Sequence, residues 1–373
     1  MAHCMYFNLC IVICILVMSW VNYKFLDLES VNNKINTCIQ SKQLTNNGKY
    51  VIELQSTLKK IFNINDDKEI LMVCNGANGI DAIVGGVNIY YGRKLKWIVQ
   101  AFTFPCSHQG LLMDSEIVDI DNDLMGPSLH ILEEKINEFD CLLITNCFGA
   151  TVSINDYVDF CKKHNKLLFF DNAASPLTYY NDINHLNHGN GCLVSLHHTK
   201  PIGFGEGGFI VFDKLYADAF KKAICFGYTN LDRNNYSEYA GNHKMSEIAC
   251  IYVSEYLKNV PQIFTHHTKT IVYFLKELEK INNGSVSLFR NHAKYEESLL
   301  STIPVIFDKK ADIDIFLKHK IEAKKYYYPL DWKCKNSVNL YERIICLPLN
   351  IDINQEMIDL YIHIISFIIN NES

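Results

Sequence analysis

Residues Ser195 to Gly208 read SLHHTKPIGFGEGG. One lysine, Lys200, stands after a serine and two histidines, His197 and His198, and before Gly203, Gly205, Gly207 and Gly208 with a single Glu206 among them. Glycines near a cation can cradle a phosphate, or can let the backbone pass close to a bound ligand. A phosphate-binding loop of the G-x-x-x-x-G-K-[ST] kind places its lysine after the glycines, whereas Lys200 precedes them and is followed by Pro201. The glycines therefore point to close backbone packing. An isolated lysine is most often a surface side chain beside a turn, so its chemistry depends on what the fold sets next to it.

From about Asp27 the chain alternates helical and extended patterns. Val51, Leu54, Leu58 and Ile61 share a helix face ahead of the apolar run ILMVC, Ile70 to Cys74. A glycine-punctuated helix start, NGANGIDAIVGG, comes next, followed by the runs KWIVQ and EIVDID, a helix at PSLHILEEKINEF and the strand CLLIT. A helix over about 154–164 leads to KLLFF and Asp171, and CLVSL leads into the lysine motif. Such alternation predicts an α/β fold: a mostly parallel sheet covered by helices on both faces, spanning residues 27–240. Beyond Gly241 a long helical stretch, Met245 to about Ile281, short strands at TIPVIFD and RIICLPL, and a last amphipathic helix predict a smaller α+β domain over 241–373.

In open parallel sheets ligands bind beyond the carboxyl ends of the strands. Three candidate groups fall there: Asn75-Gly76, Asp171, and Ser195 with Lys200. A helix N-terminus behind a glycine offers N–H groups and a positive dipole end to a phosphate. An aspartate at a strand end can hold a ring nitrogen protonated, and a desolvated lysine can form a Schiff base. Those three roles together describe a pyridoxal-phosphate (PLP) site.

The 373 residues, 49% hydrophobic and 20% charged, suffice for a full core in one or two domains. A net charge of −6 and the lack of any Lys/Arg cluster interleaved with aromatics exclude a nucleic-acid surface. The 14 cysteines are scattered through apolar runs without a C-x-x-C pair, which indicates reduced, buried thiols in a cytosol-like compartment. Neither Cys10 with Cys14 nor Cys141 with Cys147 fits a zinc spacing, so no metal is expected. Residues 1–26 form an apolar extension, nearly all apolar from Met5 to Val21. Its short length, the absence of a basic leader and the lack of a clear cleavage site leave three readings open: a membrane anchor, a buried or disordered extension, or a start site placed too early, with Met18 as the alternative.

Nine motifs in order carry a resemblance: QLTNNG (Gln43 to Gly48), CNGA (Cys74 to Ala77), AFTFPCS (Ala101 to Ser107), IVDID (Ile117 to Asp121), FFDNAAS (Phe169 to Ser175), SLHHTKPIGFGEGG, GNHKMSE (Gly241 to Glu247), KYYYPL (Lys325 to Leu330) and ICLPL (Ile345 to Leu349). In them the chain closely resembles the DegT/DnrJ/EryC1/StrS family of fold-type-I, PLP-dependent aminotransferases that aminate nucleotide-linked keto sugars. The resemblance implies that Lys200 carries PLP as an imine and shuttles a proton between substrate Cα and cofactor C4′. Asp171 would pair with the pyridinium nitrogen, with Ala173 beside it in the cofactor site, and Phe104 would stack on the ring. Gly76, Ala77 and Ser195 would hold the phosphate, and Asn242 would reach the cofactor of the neighbouring subunit, making a homodimer the active unit. His197, Tyr327 and Tyr328 are candidate substrate contacts, with a structural histidine and plain aromatic packing as the alternatives. L-glutamate would be the amino donor and a nucleotide-linked 4-keto-6-deoxyhexose the acceptor, with 3-keto sugars as the alternative.

Two positions depart from the family pattern. Many relatives carry Thr or Ser where this chain has Ala77, and glutamine where it has Ala174. Each removes one polar contact to the cofactor, worth about 1 kcal/mol, and neither touches the imine or the pyridinium pairing. A branch that replaces the lysine by histidine dehydrates sugars instead; Lys200 speaks against it. A fold-type-I enzyme acting on amino acids is disfavoured because Arg343 is the only candidate near the C-terminus for clamping a carboxylate. A non-catalytic PLP-fold regulator remains an alternative, disfavoured by the survival of Lys200, Asp171 and Ser195.

Overall fold

The computed structural model describes residues 18–228 and 236–371. Its strands are β1 (Lys68–Val73), β2 (Trp97–Gln100), β3 (Glu116–Val118), β4 (Cys141–Thr145), β5 (Leu167–Asp171), β6 (Tyr179–Tyr180), β7 (Ile183–Asn184), β8 (Gly191–Ser195), β9 (Gly208–Asp213), β10 (Val286–Leu288), β11 (Ile303–Phe307) and β12 (Ile344–Leu347). Seven of them form the main sheet in the order β1-β9-β8-β5-β4-β2-β3. The pairs β2/β3, β2/β4, β4/β5 and β5/β8 are parallel, and β9 runs antiparallel to both β1 and β8. Because β9 reverses direction between them, β1 still points the same way as β8. The carboxyl ends of β1, β5 and β8 therefore share one edge of the sheet.

Apolar residues on successive positions of these strands feed two separate cores, as a period of two requires. Leu142, Ile144, Phe170, Cys192 and Val194 join Val51, Leu54, Leu58, Ile154 and Tyr157 on one face. Leu143, Phe169 and Leu193 meet Ile80, Ile83, Val84 and Val87 of the helix Gly76–Tyr91 on the other. The mainly parallel sheet with helices on both faces is the α/β architecture expected of a fold-type-I transferase.

Beyond it lies a three-stranded antiparallel sheet, β10-β11-β12. The helical stretch expected over Met245 to Ile281 is two helices, Glu247–Tyr256 and Val260–Ile281, joined by a 3₁₀ turn at Leu257–Asn259. Pro261 is the reason: it lacks an N–H and sits in the first turn of the second helix, where none is needed. Glu247, 1% exposed, accepts the N–H groups of Gly48 at 2.6 Å, Tyr50 at 2.7 Å and Val51 at 3.3 Å, and so closes the N-terminus of the helix Lys49–Ile61. Glu247→Ala strands those donors in the interior and is expected to cost about 3 kcal/mol, read as a fall in denaturant midpoint with unchanged slope.

Residues 1–17 of the apolar extension lie outside the described residues. Residues 18–26 are built into the fold: Met18 exchanges backbone hydrogen bonds with Lys320 and Glu322, and Trp20 N–H donates to Glu322 Oε2 at 2.7 Å. Among the described residues no helix is long and apolar enough to cross a membrane.

Candidate active site

Where β1 ends, Asn75 caps the helix Gly76–Tyr91, its Oδ1 accepting from Asn78 N–H at 2.9 Å. This frees the first N–H groups of the helix, at a buried Gly76 and an exposed Ala77, to face an anion at the positive end of the dipole. Gly208, the first residue of β9, pairs with Val73 on one side and Ser195 on the other. A side chain there would lie 2.9 Å from Val194 O and 3.0 Å from the Asn75 carbonyl carbon, so only glycine lets the two strand ends close up. The buried Ser195 is thereby brought against Gly76, where an added Cβ would stand 3.0 Å from Ser195 Cβ and 3.4 Å from its Oγ. Gly76→Ala is accordingly expected to leave the cofactor-free protein folded and to raise the Kd for PLP about tenfold, measured by absorbance titration.

Asp171 ends β5 and is 2% exposed. Ala173 N–H donates to its Oδ1 at 2.9 Å and Ser107 Oγ to its Oδ2 at 3.3 Å. Behind Ser107 runs a buried chain of hydroxyls, Ser107 Oγ to Thr103 Oγ1 at 3.0 Å and Thr103 Oγ1 to Thr145 Oγ1 at 2.6 Å. Burial pushes the Asp171 carboxyl above the usual carboxylate range, against the opposing pull of the Ala173 N–H, the Lys200 amine and Ser107. Burial likewise lowers the basicity of the Lys200 amine, opposed by the charge of Asp171 and by Cys106. Cys106 lies within electrostatic reach of both and is held protonated, its thiol pushed up to about 12 mainly by burial.

Lys200 sits in the connection between β8 and β9. Leu196 and His198 N–H donate to Gly207 and Gly205 carbonyls, Phe204 N–H donates back to Leu196, and Lys200 N–H closes a turn onto His197 O at 2.8 Å. His197 is half-buried; its Nδ1 accepts Thr199 N–H at 3.2 Å and lies 2.8 Å from Thr199 Oγ1, while its Nε2 faces Glu206 at 3.5 Å. These contacts orient the ring within its own loop.

Phe104 is 53% exposed and its ring lies edge-on to Tyr327 at 6.5 Å; Tyr327 stacks on Phe148 at 5.1 Å and stands close enough to Asp171 for the carboxylate to raise its phenol further beyond what burial does. The structure thus gathers Gly76, Ser195, Asp171, Ala173 and Lys200 along one sheet edge, with Phe104 and Tyr327 joined by their ring contact. Tyr328 points elsewhere, exposed against Trp332 at 5.1 Å and Tyr341 at 5.5 Å. Asn242 is exposed and accepts from Lys244 Nζ at 2.5 Å; among the described residues no hydrogen bond joins it to Asp171, Ser195 or Lys200. Much of the tyrosine-rich loop from Tyr228 to Tyr239 lies outside the described residues. Thr103, Ser107 and Thr145 carry no distinct signal in the sequence, although the first two fall inside AFTFPCS beside Phe104.

The model of the DegT/DnrJ/EryC1/StrS aminotransferase family matches residues 27–366. The chain belongs to that family. A GDP-perosamine synthase of Vibrio cholerae is 20% identical over 307 residues, 79% of this chain and 81% of its own. The structure of DesI with its TDP-sugar product superposes with a TM-score of 0.83 at 17% identity, covering 95% of this chain and 94% of that one. An E. coli GDP-4-keto-6-deoxy-D-mannose-3-dehydratase with bound hydrated PLP gives 0.78 at 17% identity, covering 93% and 98%. At such identities the superpositions establish the fold. Members of the DegT/DnrJ/EryC1/StrS family are PLP enzymes of nucleotide-sugar metabolism, and this chain is a PLP-dependent aminotransferase of that family. Its residues fit the cofactor: the desolvated Asp171 carboxylate suits a protonated ring nitrogen, and the helix N-terminus at Gly76, with the Ser195 side chain packed against it, suits a phosphate.

Proposed function

We propose that the protein transfers the amino group of L-glutamate to a nucleotide-linked keto-deoxy sugar, in first place a 4-keto-6-deoxyhexose, giving a 4-amino-4,6-dideoxy sugar. The observation that carries this reading is the meeting of an amine of lowered basicity, Lys200, with the buried carboxylate of Asp171 at the edge where the helix Gly76–Tyr91 begins. PLP, when bound, supplies an aldehyde that condenses with amines and a ring that withdraws electrons from them. Lys200, with more of its amine neutral than an exposed lysine would have, is the nucleophile that binds the cofactor carbonyl. With the cofactor in place, the same amine would serve as base at substrate Cα and as acid at cofactor C4′, with the two roles reversed in the second half-reaction. Asp171 keeps the proton on the ring nitrogen, with Ser107 and Ala173 N–H orienting its two oxygens. The N–H groups of Gly76 and Ala77 and the Ser195 hydroxyl bind the phosphate, and Phe104 covers one face of the ring. Asn242 serves the site of a second copy, which accounts for its exposure here and makes the working unit a homodimer.

The sugar acceptor is supported by the relatives: the Vibrio enzyme is a synthase of GDP-perosamine and DesI was captured with a TDP-sugar. A dehydratase also shares the fold, with a TM-score of 0.78 against 0.83 for DesI, but a lysine at position 200 can bind the cofactor covalently and favours amino transfer. The test is incubation of the purified protein with PLP, glutamate and a panel of nucleotide-linked 4-keto and 3-keto sugars. Release of 2-oxoglutarate with an amino sugar is the expected result; sugar dehydration without 2-oxoglutarate would overturn the reading.

A further inference from the structure

Lys24 is 8% exposed and has no carboxylate partner among the described residues. Its Nζ donates to Lys200 O at 2.8 Å and Gly203 O at 2.5 Å, and lies 4.7 Å from the centre of the Tyr256 ring. The Tyr256 hydroxyl in turn donates to Pro201 O at 3.5 Å, and Phe204 stacks on Tyr252 at 5.5 Å. Three carbonyls of the Lys200–Gly203 turn are thus held by two side chains that arrive from elsewhere in the chain. Lys200 O also accepts Gly203 N–H at 3.1 Å, which closes the turn on itself. The segment bearing Lys24 is anchored at its other end: Trp20 N–H is bound to Glu322, and the Trp20 ring meets Tyr326, next to Tyr327, edge-on at 5.8 Å. One strap therefore joins the Lys200 turn to the loop that supplies Tyr327.

We propose that Lys24 is a positioning residue for Lys200, its two hydrogen bonds fixing the turn from which the Lys200 side chain reaches the cofactor. This rests on the reading that Lys200 is the amine that binds PLP. A buried ammonium without an anion is a poor choice for stability alone. Burial lowers the Lys24 amine to about 7, and the titratable groups facing it are Tyr256, His198 of the same turn and His267 of the helix Val260–Ile281. The unfolded chain keeps the Lys24 proton to higher pH than the folded one. Burial of the charge therefore lowers stability most below pH about 7, and stability recovers as pH rises toward the ordinary lysine range, a dependence that Lys24→Met removes.

The test compares cofactor-free wild type, Lys24→Met and Tyr256→Phe, the last removing only a hydroxyl. PLP is added, and the rate of appearance of the yellow lysine-bound absorbance, the visible circular dichroism of the bound cofactor and the thermal midpoint are recorded. Lys24→Met is expected to capture PLP about tenfold more slowly, with weakened visible dichroism, and Tyr256→Phe about threefold more slowly at an unchanged midpoint. A Lys24→Met protein with a lowered midpoint but wild-type capture rate and dichroism is merely destabilised, and overturns the proposal. If that variant does not fold, a wild-type capture rate in Tyr256→Phe overturns it. A wild type that takes up no PLP would instead overturn the reading of Lys200 and the proposal with it, an outcome separate from variants that match a competent wild type.

Discussion

Lys200→Ala should lower turnover of glutamate with any keto-sugar acceptor by at least about 10⁴-fold. In the proposed mechanism the residue has two duties, binding the cofactor carbonyl and carrying the proton between substrate Cα and cofactor C4′, and alanine would perform neither. Its amine is suited to both because burial lowers its basicity while Asp171 opposes that shift only in part. The fold should survive, since the turn around position 200 is held by main-chain bonds to His197 and Gly203. PLP should still be retained, more weakly, through the phosphate cradle at Gly76 and Ser195, but without the yellow absorbance of the lysine-bound form. Steady-state rates, absorbance and far-UV dichroism on one preparation check all three statements. A variant that keeps a tenth of wild-type turnover would remove Lys200 from the centre of the chemistry.

Asp171→Asn should reduce turnover by about 10²–10³-fold while sparing the fold. The carboxylate is buried, raised in pKa by desolvation, and flanked by a donor on each oxygen. Its cost is present in the cofactor-free protein and is offset when a protonated ring nitrogen faces it. The sign for stability follows from the raised pKa. The folded protein holds this proton to higher pH than the unfolded chain, so the charge lowers stability once pH rises above the carboxyl's ordinary range. Asparagine has no such charge, so the thermal midpoint of the cofactor-free variant at pH 7 should equal or exceed that of wild type. Wild-type turnover in the variant would exclude the pairing with the ring; a large fall in the cofactor-free midpoint would make Asp171 a structural residue.

The placement of the candidate site was legible in the sequence where a residue follows a strand. Asn75-Gly76, Asp171, Ser195 and Lys200 fall at one edge because parallel topology collects strand ends there, and β1, β5 and β8 obey it. The reversal of β9 between β1 and β8 was less legible, since a buried run such as GFIVFD has the same composition in either direction. That reversal is nonetheless what sets Gly208 between Val194 and Asn75, where no side chain fits. The hydroxyl chain Thr103, Ser107 and Thr145 was not legible, because those residues are 42 positions apart at the widest and meet only when β2 and β4 pair. Lys24 was the least legible of all: it follows an apolar run and reads there as an ordinary flanking charge, and only the folded chain brings it to the Lys200 turn 176 positions away. The break in the helical stretch at Pro261 could have been read from the proline alone.

The central claim, that Lys200 is the residue bound to the cofactor, is tested most directly by reducing the PLP-loaded protein with borohydride and mapping the modified peptide by mass spectrometry. The label is expected on Lys200, with loss of the yellow absorbance in proportion and no label in Lys200→Ala. A label on another lysine, above all the buried Lys24, or a protein that binds PLP yet yields no reducible bond, would contradict it.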